Sequence, residues 1–309
     1  MSIYKQGILM RIPQIFILAI IMVCGCSKEP YRELFDRTGK KIIINGQVHR
    51  IISMAPSNTE IIADLGMAKK LVAVDRHSAQ IEGIPAGTTL IDFFYPDAEV
   101  IISLKPDLII ANGHNATGTG EDPFRVLQET GIPVAYISMS KSINDIYEDI
   151  AFIADLLQVS AEKSEAVLRS MRAQVDAIAL VGAAIENRKT VYFEISAAPE
   201  MFTFGKDSFL DDMIRTIGAV NIFGNDNWIV SPGAESIISR NPDVILTNVD
   251  YIEDPIGELK SRPGFDQISA VAHNRIYQID TNSSVRPSTR ITFALGQMSR
   301  AVYPEVYEK

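Results

Sequence analysis

Cysteine is all but missing from this chain of 309 residues: Cys24 and Cys26 are the only two, and both lie near the amino end. No intramolecular disulfide, cysteine metal cluster or cysteine nucleophile can therefore organise the body of the chain, and its stability has to come from packing. Tryptophan is almost as scarce, with Trp228 standing alone. Basic residues are in deficit, 29 against 38 acidic ones for a net charge of -9, which argues against broad binding to nucleic acid or anionic lipid. Beyond residue 23 no apolar run approaches the length of about 20 residues needed to span a bilayer. Catalytic signatures are missing too: there is no GxSxG elbow, no GxxxxGKS/T phosphate loop and no HExxH. His49, His77, His114 and His273 form no HxxxH pair, although His77 and His114 each follow a predicted strand. A bare transition metal held there, and an envelope enzyme, are the alternatives to the reading below.

What is present is an ordinary globular mix, 47% apolar and 22% charged, long enough for two medium-sized lobes. Lys5 and Arg11 precede an apolar stretch from Ile12 to Val23, interrupted by Pro13 and Gln14, which suits the core of an export signal. It ends Val23-Cys24-Gly25-Cys26, followed by the polar Ser27, Lys28 and Glu29. That ending resembles the lipobox of bacterial lipoproteins, in which the cysteine after a small residue is acylated and becomes the first of the mature chain; Cys26 fits. Met1 and Met10 both remain as starts. Removing residues 1–25 takes away Lys5 and Arg11, leaving 284 residues with 27 basic against 38 acidic ones, a net charge of -11. The expectation is a body held at a membrane surface in the cell envelope by its lipid.

Residues 31–48 alternate like a hairpin, with turn signals at Thr38-Gly39 and Asn45-Gly46. From Arg50 to Met54, a buried strand, the pattern alternates: strands near 71–75, 107–112 and 133–138, helices near 57–66, 97–104, 122–130 and 142–157. A second series follows, with strands near 190–195, 243–248 and 275–279 and helices near 207–217, 232–240 and 287–302. Between them, about 160–186 reads as one uninterrupted helix opening at Ser160, a stiff connector with no Gly/Ser linker. The fold class predicted is α/β, two parallel-sheet lobes joined by a single long helix. The divisions are a leader over 1–25, the lipidated terminus and hairpin over 26–48, one lobe over 49–158, the connecting helix over 159–188 and the second lobe over 189–309.

The chain also repeats itself. AEVIISLKPDLIIAN at 98–112 and AESIISRNPDVILTN at 234–248 share nine of fifteen positions at an offset of 136 residues. Each reads as a helix that stops before Pro-Asp and feeds a strand. Glu99 and Glu235 fall at the same place in each first turn, where a carboxylate also favours the positive helix end.

These segments, with RIISMAPSNTEIIADLG (50–66), FTFGKDSFLDDMI (202–214) and RPSTR (286–290), resemble the ABC-importer substrate-binding proteins of the periplasmic binding fold, in the branch that binds ferric siderophores, haem or cobalamin. The resemblance runs from about 40 to 305. It implies two lobes on a rigid helix that closes only modestly, no catalysis and no cofactor beyond the iron or cobalt of the ligand. As partners it implies a metal chelate and a permease dimer with its ATPase subunits; the binding protein is expected as a monomer. In that family a glutamate on each lobe docks against permease arginines, and Glu99 and Glu235 match those motif positions.

The ligand is expected between the lobes, where loops after the strands converge. Candidates by position are Pro56, Ser57 and Asn58; Arg76 and His77; Phe93, Phe94 and Tyr95; and Asn112, Gly113 and His114. From the second lobe come Ser196, Phe204, Gly205, Lys206, Trp228 and Arg286. Aromatic faces supply flat apolar area, and Arg or Lys pairs with carboxylates or phosphates. The consecutive 93–95 aromatics cannot all face one core, Trp228 either packs under a loop or meets ligand, and His77, His114 or Tyr95 is a candidate to coordinate a ligand's own metal. Arg286 and Arg290 lie four apart, so one of them is also a candidate for a structural role.

Overall fold

Turn signals at Thr38-Gly39 between two short segments of alternating burial make the first element a two-stranded ribbon. The computed structural model describes residues 31–113, 115 and 122–307, so Cys26 and His114 lie outside the described residues. Strands β1 (Tyr31–Phe35) and β2 (Lys41–Asn45) pair antiparallel, Tyr31 opposite Asn45 and Phe35 opposite Lys41. Asp36 closes the turn by accepting from the amides of Thr38 and Lys40, both at 2.9 Å. Ile42 and Ile44 turn inward and are buried.

Runs of β-branched residues buried on both faces then build a five-stranded parallel sheet. Its strands are β3 (Ile51–Ser53), β4 (Leu71–Asp75), β5 (Thr89–Ile91), β6 (Leu108–Asn112) and β7 (Val134–Ile137), in the order β5-β4-β3-β6-β7. Helices α1 (Pro56–Asp64), α2 (Ala98–Ser103), α3 (Arg125–Glu129) and α4 (Ile143–Leu156) cover it. Two apolar clusters result, one with Ile101 and Leu127 on the α2/α3 side, the other with Ile61 and Ile150 on the α1/α4 side.

Helix α5 (Ala161–Ala183) is capped by Ser160 and has 23 residues, about 35 Å. At its far end Gly182 touches the second half so closely that a Cβ there would sit 2.3 Å from the Thr216 carbonyl oxygen. The second parallel sheet contains β8 (Thr190–Glu194), β10 (Val220–Asn221), β12 (Val244–Thr247) and β13 (Ile276–Gln278) in the order β10-β8-β12-β13. A separate antiparallel pair, β9 (Thr203–Phe204) with β11 (Ile229–Val230), stands outside it. The helices here are α6 (Phe209–Thr216), α7 (Ala234–Arg240), α8 (Pro255–Ser261), α9 (Ser269–Ala272), α10 (Thr281–Val285), α11 (Ile291–Val302) and α12 (Pro304–Tyr307).

The internal repeat occupies matching places. Strands β6 and β12 each pair parallel with the first strand of their own sheet, β3 and β8. In both copies the aspartate after proline staples that strand: Asp107 accepts from the amides of His49 and Arg50, both at 2.8 Å, and Asp243 from Thr190 N and Oγ1 at 2.9 and 2.8 Å. Each preceding helix ends in a left-handed residue, Lys105 (φ 46°) and Asn241 (φ 44°). One apolar cluster continues from Ile51 and Leu108 through Leu168, Met171 and Val175 of α5 to Val191, Phe193 and Leu246.

The candidate ligand-binding cleft

Residues following all five strands of the first sheet meet residues of the second half across a cleft of about 340 Å³. Pro56 and Ser57 follow β3, His77 follows β4, Phe93 follows β5, Asn112 ends β6, and Met139 and Ser140 follow β7. Opposite them stand Phe204 of β9, Ser208 and Phe209 at the start of α6, Trp228, and Asn282, Val285, Arg286 and Pro287 around the end of α10. Phe93, Phe204, Phe209 and Trp228 make four aromatic walls drawn from both halves. Phe204 and Trp228 lie with ring centroids 6.1 Å apart, held by the β9–β11 pairing.

Buried polar groups set these side chains. Ser53, Thr59 and Ser78 form a hydroxyl chain at 2.7 and 3.0 Å that ends on Asp75, whose other oxygen accepts from the His77 amide at 2.9 Å. Burial pushes the Asp75 carboxyl up, opposed by Ser78 and by that amide. Asn115 ties two loops together, accepting from Asn112 N at 2.7 Å and donating to Phe93 O at 2.8 Å. Helix α1 is preceded at its cap position by Ala55, which has no side-chain acceptor, so no side chain caps the end that Pro56 and Ser57 present to the cleft.

Arg286 reaches across the halves. Its guanidinium meets Glu60 Oε1 at 3.0 Å, Ser288 Oγ donates to Glu60 Oε2 at 2.5 Å, and a longer contact of 3.4 Å runs to the His77 carbonyl. Glu60 is 1% exposed, and its burial raises the carboxyl's pKa against the opposing pull of Ser288 and Arg286. Thr289 donates to Asp64 one turn further along α1. Arg286 is thus both cleft wall and cross-tie.

The remaining candidates sit around the cleft, not in its lining. Asn58 is buried beneath it, donating to the carbonyls of Ile110 and Ala111 at 3.4 and 3.3 Å. Arg76 and Lys206 are exposed, and Phe94 and Tyr95 are 56% and 75% exposed, with Phe94 packed edge-on against Phe93 at 4.8 Å. Gly113 lies beyond Asn112, and Ser196 bridges to Phe202. Gly205 is a packing necessity, since a Cβ there would lie 2.3 Å from the Asp226 carbonyl oxygen. Reading along the sequence missed Ala55, Met139, Ser140, Ser208, Phe209, Asn282, Val285 and Pro287. The first five adjoin strand ends or a helix start that the hydrophobic pattern marks; the short α10 and Pro287 just after it have no such signal. Among the described residues no group of three or more His, Cys, Asp or Glu is placed to hold a metal ion.

Ser140 connects the cleft to the amino-terminal ribbon. It donates to Asp149 Oδ2 at 2.9 Å, while Arg37 pairs with Oδ1 at 2.7 Å. Burial pushes the Asp149 carboxyl up to about 6 despite Arg37 and Ser140. A raised native pKa means the folded state binds the proton more tightly, so stability from this group is present at low pH and lost as pH rises through about 6. Melting followed between about pH 7.5 and pH 5 should show a gain of about 1.4 kcal/mol from it on acidification, and Asp149→Asn should remove that part of the slope.

Residues 51–282, about three quarters of the chain, match the periplasmic binding protein family. The chain belongs to that family. This periplasmic binding protein is 28% identical to YvrC of Bacillus subtilis (strain 168), an uncharacterized ABC transporter substrate-binding lipoprotein, over 95% of its own length and 96% of the relative's. It is 26% identical to a vitamin B12-binding protein of Vibrio campbellii, covering 82% of this chain and 89% of that one. Among solved structures, a periplasmic solute-binding protein of Staphylococcus epidermidis described as a possible iron-binding protein superposes with a TM-score of 0.74 at 31% identity, over 83% of this chain and 99% of the other. The family expected from the motifs is the family found, and the fold is its two-lobed α/β architecture. The relatives are substrate-binding transport proteins, and this is a periplasmic substrate-binding protein of the ABC transporter type.

Proposed function

We propose that this binding protein captures a bulky metal chelate, a ferric siderophore, haem or a cobalamin-type corrinoid, and delivers it to an ABC permease without chemical change. The observation that carries the reading is the cleft itself, with four aromatic side chains from both halves around His77, Asn112 and Arg286. Flat rings match the conjugated surface of such chelates, and few polar groups suffice to orient them. At about 340 Å³ the cleft encloses part of a ligand of this size, and the exposed Phe94 and Tyr95, with Arg76 and Lys206, are placed to meet the rest. In this reading Cys26 bears the lipid, the leader over 1–25 is removed, Glu99 and Glu235 dock on the permease, and the protein works as a monomer in the cell envelope.

Trp228 makes the test direct, because it is the sole indole and lines the cleft. Titrating the soluble chain from Ser27 onward with cyanocobalamin, haem and a panel of ferric siderophores should give saturable quenching by one class at submicromolar concentration, with a raised Tm. Silence of both readouts for every chelate would overturn the chelate reading.

A further inference from the structure

Strand periodicity divides the β1–β2 ribbon into two faces of opposite fate. Ile42 and Ile44 point into the core, whereas Tyr31, Phe35 and Ile43 point outward and are 64%, 68% and 44% exposed. Exposed apolar residues scattered singly need no explanation, but here they are three of the six residues on one face of the ribbon, and two of them are aromatic. The charged residues on that face, Glu33 and Lys41, pair with each other at 2.8 Å. On a chain of strongly negative net charge this face is therefore neutral.

We infer that the outward face of this ribbon rests in the headgroup region of the bilayer, with Tyr31, Phe35 and Ile43 at the interface. The inference rests on the reading of Cys26 as the lipid-bearing residue. Tyr31 is five residues beyond Cys26, a reach of at most about 18 Å of extended chain, so the lipid would hold this face within reach of the surface whatever else the body does. Aromatic rings with one polar edge partition to the membrane–water boundary, and a face without net charge is not repelled by anionic headgroups. The ribbon is also fastened to the body. Arg32 donates to the carbonyls of Asp155 and Leu156 at the end of α4, Arg37 pairs with Asp149, and Asp36 accepts from the Tyr136 amide of β7. Contact at this face would therefore set the orientation of the whole binding protein above the membrane, which a lipid on a free chain end cannot do.

The scarcity of cysteine supplies the experiment. The full chain is processed and reconstituted into phosphatidylethanolamine–phosphatidylglycerol vesicles at low protein-to-lipid ratio, with one nitroxide introduced through Ile43→Cys and, separately, through Arg169→Cys on the exposed side of α5. Accessibility to oxygen relative to a water-soluble nickel chelate should be several-fold higher at position 43 than at position 169, and Tyr31→Ser with Phe35→Ser should abolish the difference. Equal accessibility in a protein that remains vesicle-bound would overturn the inference and leave the anchor reading intact. Protection that appears only at high protein density would assign the face to a second copy, and would also overturn it. Partition of the parent chain into the aqueous phase, unchanged by Cys26→Ala, would remove the anchor reading and this inference with it.

Discussion

Truncation of Arg286 to alanine is expected to lower the stability of the folded chain by roughly 3 kcal/mol, the low end for breaking a buried ion pair. The magnitude follows from what is left behind. Glu60 stays 1% exposed on α1 with Ser288 as its remaining side-chain donor, and a carboxylate in that position cannot regain water without opening the contact between the halves. The low end applies because the Arg286 side chain is itself 18% exposed. Glu60 already has its pKa raised by burial, and loss of Arg286 removes one of the groups that oppose the rise. The deficit should therefore be largest at high pH and shrink on acidification, as the native state takes up the proton. Denaturant melts of Arg286→Ala at two pH values measure both effects. A companion variant with Glu60→Gln and Arg286→Met should recover most of the loss, and a double variant as unstable as the single one would show that the ion pair is not what holds the site. Ligand affinity should fall as well, because Arg286 forms part of the wall.

Charge reversal at Glu99 and Glu235 together is expected to reduce uptake to background while leaving ligand binding unchanged. Both residues are exposed in the first turn of a short helix, α2 and α7, outside the lining of the cleft, and they occupy the same place in the two copies of the repeat. A permease presenting arginines to these acids would meet repulsion at two points, and mismatched charge at an interface costs several kcal/mol. The folded chain itself loses only the favourable placement of an acid near a helix start, about 0.3–1 kcal/mol per site. Uptake assays in cells, paired with the tryptophan titration of the purified double variant, separate the two effects. Normal uptake would sink the docking role, and a change in affinity would mean that the two sites are not independent.

Much of the architecture was legible because it rests on periodicity. The strands at 71–75, 108–112, 134–137, 190–194 and 244–247 are largely apolar runs, and the long helix over 161–183 has no Pro or Gly before Gly182 in its last turn. The elements that escaped are those whose order comes from their surroundings: the three-residue β5, the two-residue strands β9, β10 and β11, and the short α8, α9, α10 and α12. The site divided along the same line. His77 could be placed because it follows a predicted strand, Phe93 because it lies just ahead of the Glu99 helix and Trp228 through the family resemblance, whereas Glu60 looked like any polar residue in a helix. Its role depends on Arg286, 226 residues away, and no local pattern records that distance. The matching left-handed residues Lys105 and Asn241 were equally silent, since neither is a glycine.

The apolar cluster that runs from Ile51 through α5 to Phe193 has a thermodynamic consequence. Two sheets that share buried contacts cannot melt one at a time, because releasing either would expose the flank of the other to water. The molecule therefore carries the geometry of two repeated halves but the cooperativity of one, and a single all-or-none transition should govern both. A damaging substitution in either half is then felt by the pair, so the cleft is lost as a whole and never by halves.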